Sequence, residues 1–225
     1  MQRSFPPASR RQAKSSHEQF RETAFHEAGH AAAIYLGNRL KQLPPVFFQI
    51  TLKESHNTPS PYKTGAHWSA EIEGGCLIQS LPPSAAEITE HFSLLERKGF
   101  LKALEADIFN LLVGPLAEAN YVALRDDEII NSYLVTVNSL SHYGGSSDLA
   151  KVQDHIGYLS SIKSEQEQKL SRLFYCAFRF INDRAVWRAI TALANHILSQ
   201  NKNVIGYDEI IAVLDSNHFS HRKNP

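Results

Sequence analysis

The string His26-Glu27-Ala28-Gly29-His30 sets two imidazoles four residues apart, with a carboxylate beside the first. On an α-helix, residues four apart lie on the same face, so both rings can grip one metal ion. Glu27 is offset from His26 by about 100° around such a helix. It therefore flanks the ion, where a carboxylate can take a proton from water. A catalytic zinc takes three protein ligands and keeps one position open, so a third donor must come from elsewhere. The extended HExxHxxGxxH pattern is absent, because the residue six places after His30 is Leu36. Asp148 is the first candidate. It follows Gly144-Gly145-Ser146-Ser147, a string that can approach another element closely, and it opens a helix, where a carboxylate is electrostatically favoured. Its competing role is that of a capping residue alone. Glu118 is the second candidate. It sits among small apolar neighbours in Gly114–Ala119, where a carboxylate should not be buried without a partner. It would either ligate the metal or accept the outer N–H of a ligating histidine. His142 is a further alternative.

The elements around these residues read as mainly helical. Phe20, Ala24, Ala28, Ala31, Ala32 and Tyr35 keep a helical rhythm from about His17 to Leu36, and Gly37-Asn38 is a stop signal. Val46–Leu52 and Gly65–Ile72 read as two paired strands, separated by a polar loop at 53–64. The pair is too small to stand alone and must lie against helices. Ser84–Leu95 and Phe100–Leu124 read as helices, with Gly114-Pro115 expected to bend or restart the second. A helix should run from Ser147 or Asp148 to about Ile162. Residues 164–200 read as one long helix or two, and Ile205–Leu214 as a final short one. The fold class expected is mainly α (α+β), with a small β-sheet. Residues 1–17, polar, basic and Pro/Ser-rich, read as a disordered tail. Residues 18–215 read as one domain and 216–225 as a frayed end.

Composition narrows the function classes. Lys plus Arg and Asp plus Glu are equal, at 23 each in 225 residues. No bulk charge draws in nucleic acid or an anionic membrane, and no nucleic-acid motif is present. Cys76 and Cys176 form no CxxC pair, which fits a reducing, cytoplasmic setting. The apolar runs are too short for a transmembrane segment, and Arg10, Arg11 and Lys14 are followed by no apolar stretch of a secretion signal.

Four blocks carry a family resemblance. Thr23–Leu36 (TAFHEAGHAAAIYL) resembles the active-site helix of the FtsH-type ATP-dependent zinc metalloproteases. Val113–Ala119 (VGPLAEA) is similar to that family's second helix block, roughly GGRAAEE. His142–Ile156 (HYGGSSDLAKVQDHI) is similar to a third, roughly TTGASNDL and a helix. Ala189–Leu214 is similar to the family's long helix, turn and terminal helix. The blocks keep the family's order and cover about residues 18–215.

The resemblance implies the helical peptidase domain of that family, with Zn2+ as cofactor. His26, His30 and Asp148 would be the zinc ligands and Glu27 the catalytic base, with Glu118 behind the zinc-binding histidines. It implies a peptide or unfolded protein as substrate, added along the small sheet as another strand. The family packs into six-fold rings, which raises a homo-oligomer. Its proteases also carry an AAA+ ATPase module, and this chain has no GxxxxGK[ST]. Hydrolysis would therefore be ATP-independent, or served by a separate ATPase partner. In the second block, Pro115 and Ala119 replace the family's Arg and second Glu. The function expected is a zinc-dependent endopeptidase. The alternative is a zinc-binding protein of the same fold acting as a regulatory or protein-interaction module. His67, His142 and Tyr143 are the candidates for stabilising the oxyanion.

Overall fold

The computed structural model describes residues 15–55, 67–84, 90–131, 133 and 135–218. Ser15 caps the first helix, α1 (Ser16–Ala32), its side chain accepting the Glu18 N–H. Gly37-Asn38 does not end this helix. A π-helical turn spans Ala33–Gly37, and a last short turn, Asn38–Leu40, follows it. The π-turn brings Gly37 against Phe109: a Cβ on Gly37 would lie 2.9 Å from the Phe109 ring. The carboxamide of buried Asn110, its NH2 turned inward, donates to the carbonyls of Ala33 and Ala106 at 3.2 Å each. The side chain thus binds the π-turn to the neighbouring helix.

The sheet is antiparallel and small, as its sequence suggested. Strands β1 (Phe48–Ser55) and β2 (His67–Gly74) pair in the register Ile50 to Ile72, two or three residues later than their sequence patterns indicated. Sequence reading missed β3 (Val204–Ile205), a two-residue strand that pairs with β1 and gives the order β2-β1-β3. Among the described residues β2 is therefore an edge strand. Phe48, Ile50 and Leu52 alternate into the core, as one-sided burial of a strand requires.

The scaffold is α2 (Leu94–Arg125). A capping box sets its start: Ser93 accepts the Glu96 N–H and Glu96 accepts the Ser93 N–H. The helix is one continuous element through Pro115, where a bend or a restart was expected, so it does not restart there. Proline leaves the carbonyl four residues earlier without its helical donor, and this loss is tolerated inside a packed stretch. Leu104, Ile108, Leu112 and Leu116 are fully buried. Then come α3 (Ser146–Ile156), α4 (Lys163–Asn182) and α5 (Arg184–Leu198), and after β3 the last helix, α6 (Tyr207–His218). The 164–200 stretch is thus two helices, broken where Asp183 caps α5 by accepting the Ala185 and Val186 N–H groups. α3 stops six residues short of its expected end, and α6 continues two residues past Ser216, where fraying was expected. The tail expected over residues 1–17 is helical at its end, where Ser16 and His17 open α1; its residues 1–14, most of the 53–64 loop and residues 219–225 lie outside the described residues.

Helices α1 and α2 meet unusually closely. A Cβ on Gly29 would lie 2.6 Å from Ala117 Cβ and 3.0 Å from the Val113 carbonyl oxygen. Glycine in mid-helix costs roughly 0.5–1 kcal/mol relative to alanine, and the close crossing is what that cost permits. At the other end of the crossing, Arg125 donates to Glu18 and Glu22, each at 2.9 Å. Phe25 stacks on Tyr121 with ring centroids 4.2 Å apart. These contacts fix the rotation of α1 about its own axis, and with it the direction of His26 and His30.

Candidate metal centre

One turn of α1 separates His26 from His30, and both rings are buried, at 7% and 8% exposure. Helix α2 faces them with Asn110, Gly114 and Glu118, spaced four residues apart on one face. Each serves a ring. His30 Nδ1 donates to the Asn110 carbonyl at 2.8 Å. Gly114 lies under the same ring, so that a Cβ there would sit 2.3 Å from His30 Nε2. Glu118 Oε2 lies 3.0 Å from His26 Nδ1. The first turn of α3 supplies Asp148, whose Oδ2 is 3.1 Å from His26 Nε2 and whose Oδ1 is 3.5 Å from His30 Nε2.

These bonds fix the chemistry of each ring. A carbonyl oxygen only accepts, so His30 carries a proton on Nδ1, and its Nε2 is the nitrogen that faces Asp148. His26 is pinned the same way by a carboxylate. Two imidazole nitrogens and a carboxylate then face one another, their donor atoms all within 4.8 Å. Acceptors so arranged in a buried place need a shared cation. Two histidines and one acid suit zinc among biological metals, and the partners on the outer nitrogens are those that ligating histidines normally have. His26, His30 and Asp148 form a metal-binding triad of catalytic type.

The proton stands in for that cation when no metal is bound. Burial opposes charge on His26, but the bonds to Asp148 and Glu118 outweigh it and raise the ring to about 10 from its ordinary 6.5. Burial would likewise raise Asp148. The hydrogen bonds and charge of the two histidines prevail and hold it far below the usual carboxylate range. Glu27 goes the other way: burial pushes its carboxyl up, against the pull of His26 and His30.

The loop before α3 passes directly over this group. Gly144 has φ +70°, and a Cβ there would lie 2.7 Å from Glu118 Oε2 and 3.1 Å from His26 Nδ1. A Cβ on Gly145 would lie 2.7 Å from Pro115 Cβ. The paired glycines thus bring Asp148 in, and Gly145, not Asp148, is the N-cap of α3.

The triad opens onto a cleft of about 290 Å³ that runs between α1, β2, α2 and α3. Glu27 lines it and accepts the Ile72 N–H through Oε2 at 2.9 Å. His142 and Tyr143 do not line it, and the His67 side chain lies outside the described residues. Sequence reading missed two contributors. The Asn110 carbonyl is a backbone group with no side-chain signal. Buried Asp107 accepts the Leu77 and Ile78 N–H groups and ties the loop after β2 to α2. An acid inside an apolar helical rhythm was its signal, the same one that marked Glu118. The chain matches no known family model and no curated protein, so the reading of the site rests on its geometry.

Replacing Glu118 with Gln should lower zinc affinity about 10–100-fold in chelator competition, because a neutral amide holds the proton on His26 Nδ1 less strongly than a carboxylate and can present its NH2 instead. Unchanged affinity would separate Glu118 from the metal. In the metal-free protein, the raised His26 contributes stability that is complete below pH 6.5 and is lost as pH rises through about 10. Urea unfolding between these values should show that loss, and His26→Gln should abolish the slope. Equal slopes in both proteins would contradict the assignment.

Proposed function

We propose that this chain is a zinc-dependent endopeptidase of the FtsH-type peptidase class, acting on peptides or unfolded polypeptide segments without ATP hydrolysis of its own. The observation that carries the reading is the buried His26–His30–Asp148 triad, one residue away from a carboxylate that opens onto the same cleft. Residues 18–215 would work as one domain. A zinc ion held by the triad would supply the Lewis acidity that activates water and polarises the scissile carbonyl. Every other step falls to the chain. Glu27, its acidity weakened by burial, takes the proton of the attacking water and returns it to the leaving amine. Glu118 and the Asn110 carbonyl hold the two imidazoles in the ligating tautomer. β2, an edge strand on the cleft, offers outward backbone groups to which an extended substrate adds as another strand.

Among the described residues no helix is long and apolar enough to cross a membrane. The free thiols Cys76 and Cys176 fit a reducing, cytoplasmic compartment. An edge strand takes an extended chain, so a separate ATPase partner or a ring of like chains would serve to deliver a folded substrate.

Glu27→Gln should retain stoichiometric zinc yet hydrolyse unfolded casein about 10²–10⁴-fold more slowly, the usual contribution of a general base. A zinc-loaded Glu27→Gln protein that cleaves at the parent rate would end this reading.

A further inference from the structure

Glu27 has an anchor that the reaction above leaves unused. Its Oε2 accepts the Ile72 backbone N–H at 2.9 Å, while Oε1 takes no hydrogen bond among the described residues. Ile72 lies in the middle of β2, opposite Ile50 of β1. Along an antiparallel strand, successive residues turn their N–H and C=O groups alternately toward the partner and away from it. Because the Ile72 N–H reaches Glu27, it points outward from the sheet, as do the groups of Ala70 and Gly74. The central donor on the free edge of β2 is therefore already spent on a side chain of α1.

We propose that the Ile72 backbone N–H is the positioning group for Glu27. It fixes one carboxylate oxygen, leaves the other to work at the metal centre, and is withheld from an extended substrate. This deepens the peptidase reading and rests on it. A glutamate on a helix has three rotatable side-chain bonds and several rotamers, and misplacing a catalytic group by about 1 Å can cost about a hundredfold in rate. A backbone donor in a paired strand holds the carboxylate without adding a titratable group to the cleft. An arriving peptide pairs with β2 through the outward groups of Ala70 and Gly74 and the Ile72 carbonyl. The strand that seats the substrate thus also sets the base, and one element fixes their mutual register.

The test is Ile72→Pro in the full zinc-loaded chain. Proline is tolerated on an edge strand where the lost N–H faces outward, and Glu71 before it is already extended. The expected result is a kcat lower by about ten- to a hundredfold, with KM and zinc stoichiometry kept. Ile72→Val, which restores the donor, should recover most of the lost kcat. A rise in KM with kcat kept would assign the N–H to the substrate and overturn the proposal. The second measurement needs neither that variant nor any peptidase activity. In the ¹H–¹⁵N spectrum of the zinc-loaded protein, the Ile72 amide proton should move upfield on Glu27→Ala, as the bond to the carboxylate is lost. An Ile72 resonance unmoved by that change would overturn the proposal by itself. Absence of hydrolysis by the parent protein, with the resonance moving as expected, would instead count against the peptidase reading alone.

Discussion

Everything in this molecule that bears on function depends on the outer nitrogens of two histidines being occupied. His30 gives its Nδ1 proton to a carbonyl, and His26 is held through Nδ1 by a carboxylate. Both partners lie on α2. With those nitrogens spoken for, the Nε2 atoms face Asp148 and only a cation can reconcile the three. Remove the outer bonds and the rings could turn, take other tautomers or pair directly with the acid. The site is then a cluster of polar groups buried at a cost, with no reason to hold a metal.

That constraint explains the shape of α2 and its neighbours. His30 reaches the Asn110 carbonyl, and His26 reaches Glu118, only if α1 and α2 approach closely, and the approach needs Gly29 on one helix and Gly114 on the other. A large residue at either position would separate the helices or displace His30. Pro115 fits the same logic. It sits where the loop carrying Gly144 and Gly145 crosses α2, and Gly145 lies against its ring. The loop thereby delivers Asp148 from a distant part of the chain to the open side of the two rings. Distortions sit near the chemistry: a π-turn begins three residues after His30, and the Asn110 side chain binds it.

What could be read from sequence follows what side chains reveal. His26, Glu27 and His30 are legible because four-residue spacing on a helix is itself a statement about geometry. Glu118 is legible because an acid among small apolar residues needs a reason to be there, whereas the residues alone left Asp148 between ligand and helix cap, and the family resemblance pointed to the ligand. The helices with a strong apolar rhythm, α1 and α2, were legible for the same reason. Two residues of β3 were not, because a pairing that short leaves no periodicity and depends wholly on β1. The continuity of α2 through Gly114-Pro115 was hidden by local propensity, which tertiary packing overrode. The Asn110 carbonyl and the Ile72 N–H were invisible in principle. Backbone groups are present at every position, and only the fold decides which of them face the site.

If His26, His30 and Asp148 bind one zinc ion together, anomalous diffraction at the zinc edge from crystals of the zinc-loaded protein will show a single strong peak, with His26 Nε2, His30 Nε2 and an Asp148 oxygen each at about 2.0–2.2 Å. A peak coordinated by other residues, or no peak at the triad in zinc-loaded crystals, would contradict it.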